Sequence, residues 1–369
     1  MFCLGNLLRR KTRSILTLLG VAVGVSLFSA SDAVMTAFRD QTLGLVKNRD
    51  VDMIVLAKNA STPIHSRVER SLESKLADLV FVAGAYPMIM GTVKTDWNPY
   101  FAVFGLPWAE SLSGRLAILD GEPFISGRRE LIMGRLAFQR LEKGVGSKLK
   151  FREGEVFHVS GIYACGHGLV DGAVIMDLTD AGRVLNRLGD DFVNAVLIQL
   201  RPGFAPAAAA AEINRLFPQL TAVRGAELMD KIRLSSVIEA VCRLIMFITL
   251  GASSLIVMNT QLMAVSERTA EIGILAAVGW PPRRIMGLII LEAVILSVVG
   301  AALGNLIGLA ELQWFSRLDS IGFGWVPTGL SGGTAAASLL LALAAGIAGS
   351  LYPAWVAVRM NPAEALRRE

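Results

Sequence analysis

Four long stretches almost free of charge constrain this chain more than any other feature. They run over residues 15–31 (ILTLLGVAVGVSLFSAS), 244–266 (LIMFITLGASSLIVMNTQLMAVS), 285–310 (broken only by Glu292) and within 320–358. About 20 apolar residues in a helix cross the roughly 30 Å hydrocarbon core of a bilayer, because each adds about 1.5 Å. Each run is long enough for that crossing or can be extended to it by a turn. Composition agrees: charged residues make up 18% of the 369, against about 25% in soluble domains.

Lysines and arginines flanking the runs give the expected orientation, since positive flanks stay cytoplasmic. Arg9, Arg10, Lys11 and Arg13 precede the first run, Arg268, Arg283 and Arg284 lie between the second and third, and Arg359, Arg367 and Arg368 follow the fourth. The connection after the third run carries Arg317 alone. The expected layout is a cytoplasmic segment 1–13, span 14–36, outer domain 37–236, span 237–265, cytoplasmic segment 266–284, span 285–311, outer loop 312–333, span 334–356 and cytoplasmic tail 357–369. The basic, apolar, small-residue order of the N-terminus also suits a signal peptide, but its apolar run exceeds the usual 7–15 residues of such a core, which favours a retained anchor. Trp314, Trp325, Tyr352 and Trp355 fall near the expected interfaces.

Residues 37–236 suffice for one or two compact domains. Their pattern is α+β, with strands expected at 51–57 and 100–106 and a helix at 66–79. A strand, a helix and a hairpin of KLKF with VFHVSGIY are expected over 130–163, then a strand AVLIQL and an Ala-rich helix near 205–217. An amphipathic approach over 226–243 is expected to lead into the second span.

Catalytic signatures are absent from the sequence. No phosphate-cradling G-x-x-x-x-G-K-[ST], no H-E-x-x-H and no G-x-S-x-G occurs. Cys3, Cys165 and Cys242 fall in three different expected segments, so no intrachain disulfide is expected. Cys165, His167 and Asp171 share one Gly-rich loop but match no standard metal spacing, and read as a loop with a buried thiol. No metal or cofactor is expected in this chain.

Glu292 stands inside the third run, where a charge costs at least about 2.5 kcal/mol unless it faces protein. No other acid or histidine in the four uncharged runs could continue a relay, so it reads as a hydrogen-bonded packing residue. Gly20 and Gly24, then Gly300, Gly304 and Gly308, then Ala342, Gly346 and Ser350 recur at four-residue spacing. Such faces permit close helix approach.

Between the second and third runs lies SERTAEIGILAAVGWPPRRI, residues 266–285. Ser266 can cap a helix, Glu267 suits the N-terminal dipole, and Arg268 and Glu271 stand one turn apart and can pair. Gly279 is placed to end the helix before the basic pair Arg283-Arg284. Ile272, Leu275, Ala276 and Val278 make the remaining face apolar, which fits equally a helix lying on the bilayer or bundle and a partner site.

The stretch VMNTQLMAVSERTAEIGILAAVGWPPRRIMGLIILEAVILSVVGAALG resembles the E-R-T-x-E-I-G-I core of the MacB/FtsX/LolC-type permeases of ABC systems. NLLRRKTRSILTLLGVAVGVSLFSA resembles that family's N-terminal segment, the large insertion its periplasmic core domain, and YPAWVAVRMNPAEALRRE its terminal motif, matched at Pro353, Pro362, Glu364 and Leu366. The resemblance implies four spans with an α+β periplasmic domain between the first and second, in a bacterial inner membrane. It implies a dimer, homo- or heteromeric, each permease pairing with a cytoplasmic ABC ATPase on a separate chain that holds the ATP and Mg. Glu267, Arg268, Glu271, Ile272, Gly273 and Gly279 match the coupling motif, and Glu292 falls where the family commonly has an acid. Mechanotransmission to the periplasmic domain would then export or extract a lipoprotein, lipid or small hydrophobic compound, with a periplasmic adaptor or substrate-binding protein as a further partner. An FtsX-like signalling permease acting on a cell-wall hydrolase is the alternative. No nucleic-acid partner is expected. Ala277-Val278-Gly279-Trp280 departs from the family's commoner surroundings, so the cognate ATPase surface is expected to differ.

Overall fold

A computed structural model describes residues 11–44, 51–60, 62–107, 116–151, 154–166, 168–187, 189, 191–224, 233–318, 323–324 and 326–360. Cys3, His167, Trp325, and Pro362, Glu364 and Leu366 of the terminal motif lie outside them. In chain order the elements begin with α1 (Lys11–Gly44), β1 (Met53–Ala57), β2 (Val68–Glu69), α2 (Ser71–Ala77), β3 (Val82–Val93), β4 (Phe101–Gly105) and β5 (Ala117–Gly121). Then come β6 (Glu130–Gly134), α3 (Arg135–Leu141), β7 (Lys148–Lys150), β8 (Val156–Ala164), α4 (Gly168–Asp171), β9 (Val174–Met176), α5 (Leu178–Val184), β10 (Phe192–Val193) and β11 (Ala195–Leu200). The chain continues through α6 (Pro206–Leu216), β12 (Leu220–Arg224), α7 (Arg233–Glu267), α8 (Thr269–Ala277), α9 (Pro282–Ser316) and α10 (Gly332–Arg359).

These form two units. One joins α1 up to Val34, α7 from Ala240, α8, α9 up to Gln313, and α10; the other holds Met35–Glu239, with the strands and short helices, together with Trp314–Pro327. Four helices of the first unit are long and apolar enough to cross a membrane, over Ser14–Phe38, Glu239–Glu267, Pro282–Ser316 and Gly332–Arg359.

Small residues set how these four helices meet. A methyl added at Gly300 would lie 2.8 Å from Val21 Cγ1, and one at Gly304 would lie 2.6 Å from the Ala22 carbonyl. Gly308 faces Ser26 and Ser29, so the glycine row of α9 lies directly on α1. On another side of α1, Gly20 meets Ile256 and Gly24 meets Ser253 of α7. Gly346 of α10 abuts Ser297 of α9, and Gly349 abuts the Ser254 carbonyl of α7. All the expected small-residue positions thus lie at helix–helix contacts or are buried. Lipid tails are as apolar as leucine, so close contact and polar pairing hold such a bundle together. The polar part is supplied by Asn305, whose Oδ1 accepts from Ser29 (2.7 Å) and Ser338 (2.9 Å). Asp32 accepts from Thr334 (2.6 Å) beside the Ser331 cap of α10.

The second unit is built on a ten-stranded sheet ordered β12-β1-β11-β3-β4-β9-β6-β8-β5, with β7 pairing β8. Most neighbours are antiparallel; β4 with β9 and β6 with β8 are parallel. Alternation in β1 sends Met53 and Val55 into a core with Leu72, Leu76 and Ile213 of α2 and α6, while Ile54 and Leu56 enter a second core with Phe104 and Tyr163. A third core packs α3 and α5 on Phe101, Val103, Leu131 and Met133. Burial, reinforced by nearby Cys165 and Asp171, pushes the Tyr163 hydroxyl well above its ordinary value, so it stays neutral and donates to the Val170 carbonyl at 2.6 Å.

Several expectations change. The helix expected at 66–79 is shortened to Ser71–Ala77, with β2 before it. The longest strand, β3, lies where no element was expected, because Gly84, Pro87 and Gly91 dilute its pattern. Residues expected as a plain outer loop include Phe323, which is buried in the third core and stacks with Trp97 at 6.2 Å. Cys165 is half-buried rather than buried. Its loop is organised by Asp171, a buried carboxylate that accepts from the backbone N–H groups of Cys165 (2.7 Å) and Gly166 (3.2 Å).

Candidate functional site

The junction of α7, α8 and α9 gathers the residues of the E-R-T-x-E-I-G motif. The chain breaks helicity at Arg268, which takes φ −110° and ψ 22° as the residue before α8 and makes no side-chain cap. Ser266 therefore is not the expected cap: it belongs to α7, and its hydroxyl donates back to the Met263 carbonyl at 2.9 Å. Such back-bonding is the usual recourse of a serine within a helix.

Arg268 does not turn to Glu271, the partner that spacing suggested. Its guanidinium reaches across to α9 and donates to Glu292 Oε2 at 3.0 Å, with side-chain exposures of 15% and 5%. The reason is electrostatic. A pair within α8 would leave the carboxylate of Glu292 unpaired inside a membrane span, where an unpartnered charge is costly. Glu292 is buried and hydrogen-bonded, and its partner comes from the motif itself.

The remaining motif residues divide by face. Ile272 and Gly273 are buried. Ile272 packs with Val265 of α7, Ile285 and Ile289 of α9, and Ala354 and Ala357 of α10. Glu267 and Glu271 are exposed, as are Ile274 and Val278 at 52% and 75%. Glu271 stands in the first turn of α8, where an acid complements the helix dipole.

Gly279 ends α8 in the left-handed region at φ +90°. Its N–H donates to the Ala276 carbonyl and that of Trp280 to Leu275, both at 3.1 Å, which is a Schellman ending. Arg284 then lies over the Trp280 ring at 5.4 Å, and Arg359 over Trp355 at 4.2 Å. These two cation–π pairs place basic and aromatic residues together near the ends of α9 and α10, as at a bilayer interface. Sequence spacing gave no signal for the Arg268–Glu292 pair, since the partners are far apart in sequence and on different helices.

Between α7, α8 and α9 a cleft of about 260 Å³ opens, lined by Gln261, Arg268, Glu271, Leu275, Ile289 and Glu292 among others. No group of acids, histidines and cysteines able to hold a metal occurs among the described residues. Charged and apolar groups thus face outward and an ion pair lies inward.

Comparison with known proteins agrees with this architecture. Residues 14–216 match the MacB-like periplasmic core domain family, and residues 243–362 match the FtsX-like permease C-terminal family. A macrolide export ATP-binding/permease protein MacB of Sodalis glossinidius is 35% identical over 194 residues, covering 50% of this chain and 29% of the relative. The protein of that name from Escherichia coli O6:K15:H31 is 25% identical over 413 aligned positions, covering 97% of this chain and 59% of the relative. The chain thus spans less than two thirds of the length of these relatives. The crystal structure of the periplasmic region of MacB from Actinobacillus actinomycetemcomitans aligns with a TM-score of 0.38 at 10% identity, covering 49% of this chain and 91% of that one. With four membrane-length helices, an α+β domain between the first two and family matches over both regions, the chain belongs to the MacB/FtsX-type family of ABC transporter permeases.

Proposed function

We propose that the chain is a permease subunit that relays ATP-driven motion of a cytoplasmic ABC ATPase to its periplasmic domain, exporting or extracting a lipoprotein, lipid or small hydrophobic compound. The observation that carries the reading is the two-faced α8. Outward stand Glu267 at the end of α7, Glu271 and Ile274 on α8 and Val278 at its C-cap, while inward α8 is fixed in the bundle through Ile272 and the preceding Arg268. A partner pressing on the outer face therefore moves the helices rather than a loose loop. α8 follows the second span and the outer domain precedes it, so in this reading they lie on opposite sides of the membrane, with α8 and both termini on the cytoplasmic side.

ATP and Mg belong to the ATPase, and this subunit contributes no catalytic group. Two permease subunits form the working unit. α7 is the least enclosed of the four membrane helices, with Leu244, Phe247, Ile248 and Leu255 exposed in the single chain, which supports a helix that meets a second copy or lipid.

The reading is tested by mild extraction of the chain from its native membrane and mass-spectrometric identification of what accompanies it. An ABC ATPase in near-equal ratio is the expected companion, lost with Glu267→Lys/Glu271→Lys. A periplasmic adaptor alongside it supports transport, and a cell-wall hydrolase would assign signalling instead. No ATPase under several extraction conditions would overturn the coupling role.

A further inference from the structure

We infer that the Arg268–Glu292 ion pair is a clamp that locks α8 to α9, making Arg268 a positioning residue of the coupling segment rather than part of its outward docking face. The inference deepens the proposed coupling role and rests on it for its functional meaning.

Three observations converge. First, helicity fails at Arg268, so backbone hydrogen bonding alone does not fix the direction in which α8 leaves α7. The first bond within α8, from Ile272 N–H to the Arg268 carbonyl at 3.0 Å, begins only after that break. Second, α8 is incompletely packed. Ile272 packs one side into the bundle, but Leu275 on the cleft of about 260 Å³ is only half-buried and Ile274 is exposed. A short helix held along one strip can rock about that strip.

Third, the pair sits across the gap. Glu292 is on α9 and Arg268 at the root of α8, and their 3.0 Å contact is largely shielded from solvent. A charge-assisted contact in such surroundings is stronger and less tolerant of displacement than an exposed one. The choice of Glu292 over Glu271 matters here: pairing with Glu271 would stiffen α8 internally, whereas pairing with Glu292 joins two elements. Force applied to the outer face of α8 then reaches α9 without being spent in rocking.

The clamp can be measured in the chain alone. In full-length protein in nanodiscs, with Cys3, Cys165 and Cys242 replaced by serine, spin labels are placed at Val278→Cys at the C-cap of α8 and Leu306→Cys on α9, both exposed sites. Pulsed dipolar spectroscopy is expected to give one narrow distance distribution. Arg268→Gln and Glu292→Gln should each broaden and shift it, Arg268→Lys should keep most of its sharpness, and the exchange Arg268→Glu/Glu292→Arg should restore it. The apolar pair Arg268→Met/Glu292→Leu guards against loss of fold, since it strands no charge, and it too should broaden the distribution.

Unchanged distributions in the neutral and apolar variants would overturn the clamp, as would an exchange that folds yet stays broad. With ATPase and ATP present, the broadened variants are expected to show less outer-domain movement per ATP hydrolysed, with the exchange recovering it. Equal movement per ATP in all of them would also overturn it. An ATPase that never binds the unsubstituted chain would instead remove the coupling reading, while the distance measurement still decided the clamp.

Discussion

The two units of this molecule are held together by opposite means. In the outer domain the fully buried side chains are large: Phe101, Phe157, Tyr163, Leu131 and Met133. In the helical bundle the buried cluster at the centre is Val21, Val25, Val257, Ala293, Ala301 and Ala342, interleaved with glycines that touch backbone. A domain in water gains about 25 cal/mol for each Å² of apolar surface it buries, so large side chains serve it well. Helices in lipid gain little from that source and rely on close fit and polar pairs. Each unit is therefore sensitive to a different kind of substitution, and the coupling junction, which has Ile272 as well as Arg268–Glu292, depends on both.

Substitutions that separate the two regimes have graded effects. Phe101→Ala should be the most damaging, about 3–5 kcal/mol, because it empties the centre of an aromatic cluster; thermal unfolding followed by near-ultraviolet circular dichroism reads it as a loss confined to the outer domain. Gly346→Ala should cost the bundle about 1–3 kcal/mol by driving a methyl against Ser297. Ser297→Ala is the sharper probe. Its hydroxyl is buried without a hydrogen-bond partner among the described residues, so removal should be neutral or stabilising by about 1 kcal/mol and should relieve part of the Gly346→Ala cost in the double variant. Additive effects in that cycle would show that the two positions do not share a contact.

Gly279→Ala should cost about 1 kcal/mol, since only the left-handed backbone at φ +90° is strained and no atom lies near the added methyl. Glu267→Lys/Glu271→Lys should change stability least, within about 0.5 kcal/mol, because both residues are exposed. A large loss of stability there would mean that these acids support the fold rather than a partner.

The bundle was legible in the sequence because charge exclusion and four-residue spacing are local patterns that lipid enforces directly. Glu292 stood out for the same reason. The hairpin of β7 and β8 and the Ala-rich α6 were legible from alternation and composition. β3 was not, since Gly84, Pro87 and Gly91 are tolerated by neighbours on both sides that no local window contains. Phe323 looked like part of a loop because its aromatic partners, Trp97 and Phe101, are distant in sequence. At the junction, local rules misassigned both Ser266 and the partner of Arg268. Spacing within one helix proposes Glu271; the cost of leaving Glu292 unpaired in another helix decides otherwise.

The central claim, that pressure on α8 becomes movement of the outer domain, is met most directly by a distance measured from the outer domain to the bundle during ATP turnover. With the ATPase bound in nanodiscs, one probe on the exposed Val80 of the outer domain and one on Leu340 of α10 should report a distance that shifts when ATP is trapped by vanadate and returns on its release. Glu267→Lys/Glu271→Lys should abolish the shift. A distance that stays fixed while the bound ATPase hydrolyses ATP would contradict the claim.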